Sequence, residues 1–247
     1  MATTVQAPTR DREAGVAARS DRTLYRAGAI AGFIGTAIAL LTNAVHPRNL
    51  FGEDSATTLQ RIADFGPWLV VHLGFVVALV LGVITFMAVY RSIASGPSPW
   101  ARPAVGIVLV SSAVTLVSFM MDGFGLWGLA QAWATATGEA QAVIATAAEG
   151  IASFENALFI GTMLTFFGAT PIVGGIALWT DGTYPRWVAG LAIVAGVIGL
   201  AAGTINFLAG EVTDFAFMVL FTISSVLVTV WFLALSVLLW RRSQATV

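Results

Sequence analysis

The sequence contains no cysteine and no lysine, and it has few charges of either sign. Without cysteine there is no disulfide, no thiolate nucleophile, no iron–sulfur cluster and no thiolate metal site; any metal must be held by His, Asp or Glu. Charged residues make up 10% of the 247, against about 25% in an ordinary soluble domain. With 57% hydrophobic residues, the chain has lipid as its natural solvent. All 12 basic residues are arginine, and none forms a patch that suggests nucleic acid.

What is present is a series of long apolar runs. A hydrocarbon core of about 30 Å needs about 20 apolar residues per helix. Six segments reach that length, so the expected fold is all-α, a polytopic six-helix membrane bundle over residues 27–241. The expected spans are 27–45, 67–90, 103–121, 151–179, 187–208 and 215–240. Residues 1–26 read as a disordered cytoplasmic tail without the apolar core of a removable signal peptide, and residues 242–247 as a second cytoplasmic tail. Gly66-Pro67-Trp68 opens span two, with proline in the first turn and tryptophan at interface depth. Ser95-Gly96-Pro97-Ser98-Pro99 separates spans two and three. Span four is the longest and contains Pro171; helical throughout, its 29 residues would measure about 43 Å and must kink, tilt or project. Residues Gly123 to Gly138 are too short to cross again and are expected to prolong span three or lie in the interface.

The charges orient this layout, because cytoplasmic flanks are enriched in arginine. With both termini in the cytoplasm, the inner segments hold Arg10, Arg12, Arg19, Arg22, Arg26, Arg91, Arg102, Arg186, Arg241 and Arg242, and only four acids. The outer segments hold Arg48 and Arg61 against Glu53, Asp54, Asp64, Asp122, Glu139, Glu149, Glu155, Glu211 and Asp214. Between spans one and two, Asp54 or Ser55 can cap a short helix that shows Leu59, Ile62 and Phe65 on one side, as a connector on the outer surface.

Polar residues recur at helical spacing inside the spans. Ser111, Thr115, Ser118 and Asp122 share one face of span three; Glu149, Ser153 and Asn156 begin span four in the same way; Glu211, Asp214, Met218, Thr222, Ser225 and Thr229 mark span six. These three stripes are expected to face one another. Gly28 and Gly32 in span one, and Gly199 and Gly203 in span five, are small-xxx-small pairs that permit close helix approach. No similarity between the two halves of the chain suggests an inverted transporter repeat.

Ionisable groups within apolar spans need partners or water. Every span contributes a polar or ionisable residue near its outer end. Glu155, His72 and Asp122 are the candidate catalytic residues, with Asn43, His46, Trp68, Glu149, Asn156, Asn206 and Asp214 as candidate ligand-binding residues around them. A desolvated carboxyl beside a histidine suits acid–base chemistry, and walls from Trp68, Phe75, Phe124, Trp127 and Phe159 suit a lipophilic small molecule. A proton- or cation-linked carrier is an alternative, although the inner half lacks matching ionisable groups. No cofactor is expected from spacing, since the chain has neither His-x-x-x-His nor Glu-x-x-His. His46 and His72, the only histidines, leave bis-histidine haem or a metal ion as a third reading, and a structural or sensor protein touching anionic headgroups through its arginines is a fourth. The lipid bilayer is the one partner implied throughout, and the oligomeric state is left open.

The Arg26-Ala27-Gly28 start, the helix after span one and Gly66-Pro67-Trp68 together resemble a family of six-span bacterial membrane proteins, of actinobacterial type and unknown function. That resemblance covers about residues 25–240 and implies a multi-pass inner-membrane location without implying any catalytic residue.

Overall fold

Glycine and proline cut the apolar runs into helices where the sequence places them. The computed structural model describes residues 7–47, 54–94, 96 and 98–245, with side chains from residue 20 onward. The described residues form nine α-helices and no strand: α1 (Ala7–Val45), α2 (Ser55–Asp64), α3 (Trp68–Ile93), α4 (Ala101–Met120), α5 (Trp127–Thr135), α6 (Glu139–Thr162), α7 (Thr170–Asp181), α8 (Arg186–Ala209) and α9 (Thr222–Gln244). Gly182 and Gly210 end α7 and α8 in the left-handed conformation, at φ 76° and 74°. Asp54 caps α2 by accepting a hydrogen bond from Thr57 N at 3.0 Å.

Two π segments join helices end to end, and a third opens the last span. Met121–Leu126 links α4 to α5, Met163–Ala169 links α6 to α7, and Phe215–Phe221 leads into α9. Six helical units are then long and apolar enough to cross a membrane: Ser20–Val45, Trp68–Ile93, Ala101–Thr135, Glu139–Asp181, Arg186–Ala209 and Phe215–Gln244. The third and fourth, at 35 and 43 residues, are about 52 and 65 Å long, far more than a hydrocarbon core of about 30 Å requires.

Several sequence expectations change here. The helical unit that carries span four begins at Glu139, ahead of the apolar stretch from Ile151, and residues 123–135 prolong the helix of span three, one of the two expected alternatives. Residues 7–26, read from sequence as a disordered tail, are the N-terminal part of α1, while residues 1–6 lie outside the described residues. The apolar side of α2 is covered by protein: Leu59 and Ile62 are buried with Trp68, Leu126, Ala130 and Ala148 in a small core that α2 forms with the projecting ends of α5 and α6. The stripe on the last span faces outward, with Glu211, Asp214, Met218 and Thr222 exposed. Ser224 turns inward instead and donates to Ala195 O at 2.9 Å. Of the α6 stripe, Glu149 and Ser153 are exposed, and Glu155 takes the buried position.

The π segment before Pro171 has a clear cause. Proline offers no N–H and its ring collides with the carbonyl four residues back, so widening the preceding turn relieves the clash. α8 packs on this stretch through glycine: a Cβ on Gly199 would collide with the Phe167 carbonyl, and one on Gly203 would lie 2.8 Å from the Leu164 side chain. In the last π segment, Thr222 Oγ1 donates to Phe217 O, five residues back. On α1, Gly28 and Gly32 meet α3 and α9, and Thr85 donates to Gly28 O at 3.0 Å.

The main core, including Phe86, Val89, Ile93, Val108, Leu178, Val188 and Trp231, fills the half of the bundle nearer the arginines. At that end Arg91 pairs with Asp21 at 3.1 Å, Arg26 lies over Trp240, and Arg242 lies over Tyr184. Burial pushes the Tyr184 phenol above its ordinary value, so it remains a neutral hydroxyl, bonded to Ser92 Oγ at 2.6 Å.

Candidate functional site

At the opposite end, three helices bring three metal-ligating side chains to one point. His46 follows the last turn of α1, His72 lies in the second turn of α3, and Asp122 occupies the π segment after α4. Each stands 19 or 20 residues from an arginine on its own span: Arg26 to His46, Arg91 to His72, and Arg102 to Asp122. At 1.5 Å per residue these separations are about 30 Å, one hydrocarbon thickness, so the three residues share a level.

Asp122 Oδ2 lies 2.9 Å from His72 Nε2 and 3.8 Å from His46 Nε2. The other ring nitrogens are already committed. His72 Nδ1 donates to Trp68 O at 2.8 Å and His46 Nδ1 donates to Pro47 O at 2.7 Å. A carbonyl only accepts, so both Nδ1 atoms carry hydrogen, and in the neutral rings both Nε2 atoms present lone pairs. Two lone pairs and a carboxylate oxygen therefore converge. Such an arrangement requires a proton or a cation between them.

The surroundings fix this geometry. A Cβ on Gly123 would lie 2.7 Å from His72 Cβ, so glycine next to Asp122 is what allows the imidazole to reach the carboxylate. The Trp68 indole N–H donates to Gly123 O at 3.0 Å and is 3.3 Å from Asp122 O, taking up carbonyls of the π segment. Trp68 packs 4.5 Å from His72 and 5.4 Å from His46 between ring centroids. Phe75 stands against both histidines and stacks on Phe119. The His72 side chain is 2% exposed, whereas those of His46 and Asp122 are 22% and 23% exposed, so the cluster can be reached from the surface on their side. Behind it Glu155 is buried, within electrostatic range of Asp122 and near the Ser118 hydroxyl.

His46, His72 and Asp122 can hold a metal ion: their ligand atoms all lie within 4.8 Å of one another. Tetrahedral ligands at about 2.0–2.2 Å from zinc stand about 3.4 Å apart, between the 2.9 and 3.8 Å observed here. Haem does not suit the same residues. The imidazole centroids are 5.1 Å apart and both Nε2 atoms point at one carboxylate oxygen, so they do not oppose each other across a macrocycle.

The remaining sequence candidates lie elsewhere. Asn43, Glu149 and Asp214 are exposed, and Asn156 is half-buried on α6. Asn206 is fully buried but structural: its Oδ1 accepts from Thr213 N and Thr213 Oγ1, both at 2.9 Å, which ties the end of α8 to the start of the last span. Phe124 is exposed, and Phe159 packs with Phe217 and Phe221 in a separate cluster. A surface groove of about 790 Å³ beside the cluster is lined by Val45, Pro47, Gln60, Phe65 and Trp133 among others, but not by Glu155, His72 or Asp122. Gly123 is the participant that sequence reasoning missed; its signal was an Asp-Gly pair inside an otherwise apolar helix.

The fold and site together define a polytopic helical membrane protein with a two-histidine, one-carboxylate cluster at one end of the bundle. The chain belongs to the family described as domain of unknown function DUF4386, whose model matches residues 23–235. No curated protein and no solved structure matches the chain.

Proposed function

We propose that this protein binds a divalent transition-metal ion through His46 Nε2, His72 Nε2 and the Asp122 carboxylate, at the outer face of a bacterial inner membrane. The observation that carries this reading is the pair of Nδ1–H bonds to Trp68 O and Pro47 O, which leaves the two Nε2 atoms as the ring nitrogens directed at one carboxylate oxygen, where a metal ion can replace the proton. Backbone carbonyls in that role are the usual outer-shell partners of metal-binding histidines. A mixed nitrogen and oxygen set suits zinc, iron or manganese. Three protein ligands leave a coordination position open, the pattern of sites that act on a bound molecule rather than brace a fold.

The orientation rests on the arginine bias, which assigns both termini to the cytoplasm and the cluster to the outer surface. The depth of the cluster and its walls of Trp68 and Phe75 favour a lipophilic small molecule approaching from the membrane, with Glu155 as the nearby carboxyl for acid–base work. The apolar core between the cluster and the arginine end disfavours a carrier path.

Metal analysis of protein purified mildly in detergent tests the reading. The wild type is expected to carry about one metal ion per chain, and His46→Ala, His72→Ala and Asp122→Asn to lose it while remaining folded. Wild-type protein that neither retains metal nor takes up added cobalt(II) overturns it. A reporter fused after Val247 that reads as periplasmic overturns the orientation alone.

A further inference from the structure

We propose that α4 and the α6–α7 span enclose a narrow well that admits water and protons from Glu155 toward the middle of the bundle and ends at the Ser111–Thr170 pair.

The two ends of the well are set by contacts. At the cluster end, the buried Ser118 hydroxyl lies near the buried Glu155 carboxyl. Deeper, Ser111 Oγ and Thr170 Oγ1 lie 2.8 Å apart. Between these levels the helices run antiparallel, and a Cβ on Gly161, next to Thr162, would contact Cγ1 of Val114, next to Thr115, at 3.4 Å. Glu155, Ser118, Thr115, Thr162, Ser111 and Thr170 are all buried, so they line up as a polar seam between these helices.

Thr162 is the informative member. Threonine hydroxyls in this chain regularly bond the carbonyl three or four residues back, as Thr42, Thr115, Thr165 and Thr229 do. Thr162 Oγ1 does not, and it has no partner at 2% exposure. Ser112 Oγ on α4 is likewise buried and unpartnered. A buried hydroxyl that forgoes the carbonyl bond its own helix offers is satisfied by water. The seam runs about 10 Å along α4, from Ser118 to Ser111. Beyond it Ala104, Val108, Ala177, Leu178 and Val188 are buried at 0% or 1% exposure and close the path. The feature is therefore a well and not a pore. It rests on the packing of α4 against α6 and does not depend on a metal at His46, His72 and Asp122.

Because the chain has no cysteine, a single introduced thiol reports water directly. Thr162→Cys and Ser111→Cys variants in proteoliposomes are treated with silver ion from either side and the modified fraction read by mass spectrometry. Ala177→Cys, in the apolar core, is the dry control. Since the thiolate forms only where water reaches it, both well variants should react about tenfold faster than Ala177→Cys from the His-bearing side, and at the control rate from the arginine-bearing side. Rates equal to the control from both sides overturn the well, and fast reaction from both sides overturns its closed floor. Should Thr162→Cys fail to fold, Ser111→Cys alone decides, because serine and cysteine differ by one atom.

Discussion

Replacing Gly123 by alanine tests the construction of the site at its tightest point. The new Cβ would lie 2.7 Å from His72 Cβ and 2.9 Å from His72 Cγ, whereas carbon atoms pack comfortably at about 3.5–4.0 Å. The imidazole must therefore retreat by about 1 Å. That retreat stretches the 2.9 Å bond between His72 Nε2 and Asp122 Oδ2 beyond hydrogen-bonding distance. Overpacking of a tight interior costs about 1–3 kcal/mol. A lost interhelical bond within a membrane bundle adds about 0.6 kcal/mol on average and up to about 1.7. The sum is about 2–4 kcal/mol, read as a lowered thermal midpoint in detergent. On the proposed metal reading, displacing one ligand also weakens metal affinity at least as much as an outer-shell change, about 10–100-fold. A Gly123→Ala protein with wild-type stability and metal content would refute the claim that this glycine sets the approach of His72 to Asp122.

Three further outcomes follow from other parts of the bundle. Asn206→Ala leaves the Thr213 N–H and hydroxyl without their acceptor and is expected to destabilise the protein by about 1–3 kcal/mol in denaturation in detergent, with metal content unchanged. Gly199→Val drives a side chain into the Phe167 carbonyl and separates α8 from α7; thermal unfolding should show a loss of about 2 kcal/mol or more. The bonds that Asp54 accepts from Thr57 hold its carboxyl below the usual range. A carboxyl depressed in the folded state contributes stability that is present above its unfolded pKa of about 3.9 and is lost as pH falls through the folded value. Amide-exchange protection of α2 should therefore weaken below about pH 4 in the wild type and show no such step in Asp54→Ala.

Helix number and type were legible because they depend on long-range averages, the length of an apolar run and the position of its breakers. The ends of spans three and four were not. Hydropathy marks where lipid ends, but helices α5 and α6 continue past that point because Leu126, Ala130 and Ala148 find a protein surface, on Leu59 and Ile62 of α2, to bury against. The stripe Ser111, Thr115 and Ser118 was correctly read as buried because it lies within one uninterrupted α-helix. The stripes of α6 and the last span were read by the same arithmetic and face outward. Period alone identifies a face without saying which neighbour meets it, and the neighbours were fixed by glycines on α8 and by Pro171. At the site, His72 and Asp122 were recognised as ionisable groups in lipid. Their convergence with His46 had no motif because each comes from a different helix. Equal distance from an arginine on each span is a signal that the sequence does hold, and it places all three at one depth.

The π segment that carries Asp122 does more than widen one turn. It inserts a residue into the helix, and at 3.6 residues per turn one residue rotates everything beyond it by about 100°. Upstream of the insertion, α4 presents Ser111, Thr115 and Ser118 to α6 and α7; at its far end and beyond, Leu126 and Ala130 of α5 meet the core shared with α2. An unbroken α-helix cannot hold both faces in place. Deleting Gly125 is therefore expected to restore α-helical register, turn Leu126 and Ala130 away from Leu59 and Ile62, and release α2, while Asp122, anchored on the α4 side, keeps its place near His72. Amide exchange should show α2 losing protection in the deletion variant with α3 and α4 unchanged. If α2 stays protected, the register shift is not what seats it, and its docking must rest on contacts with α6 alone.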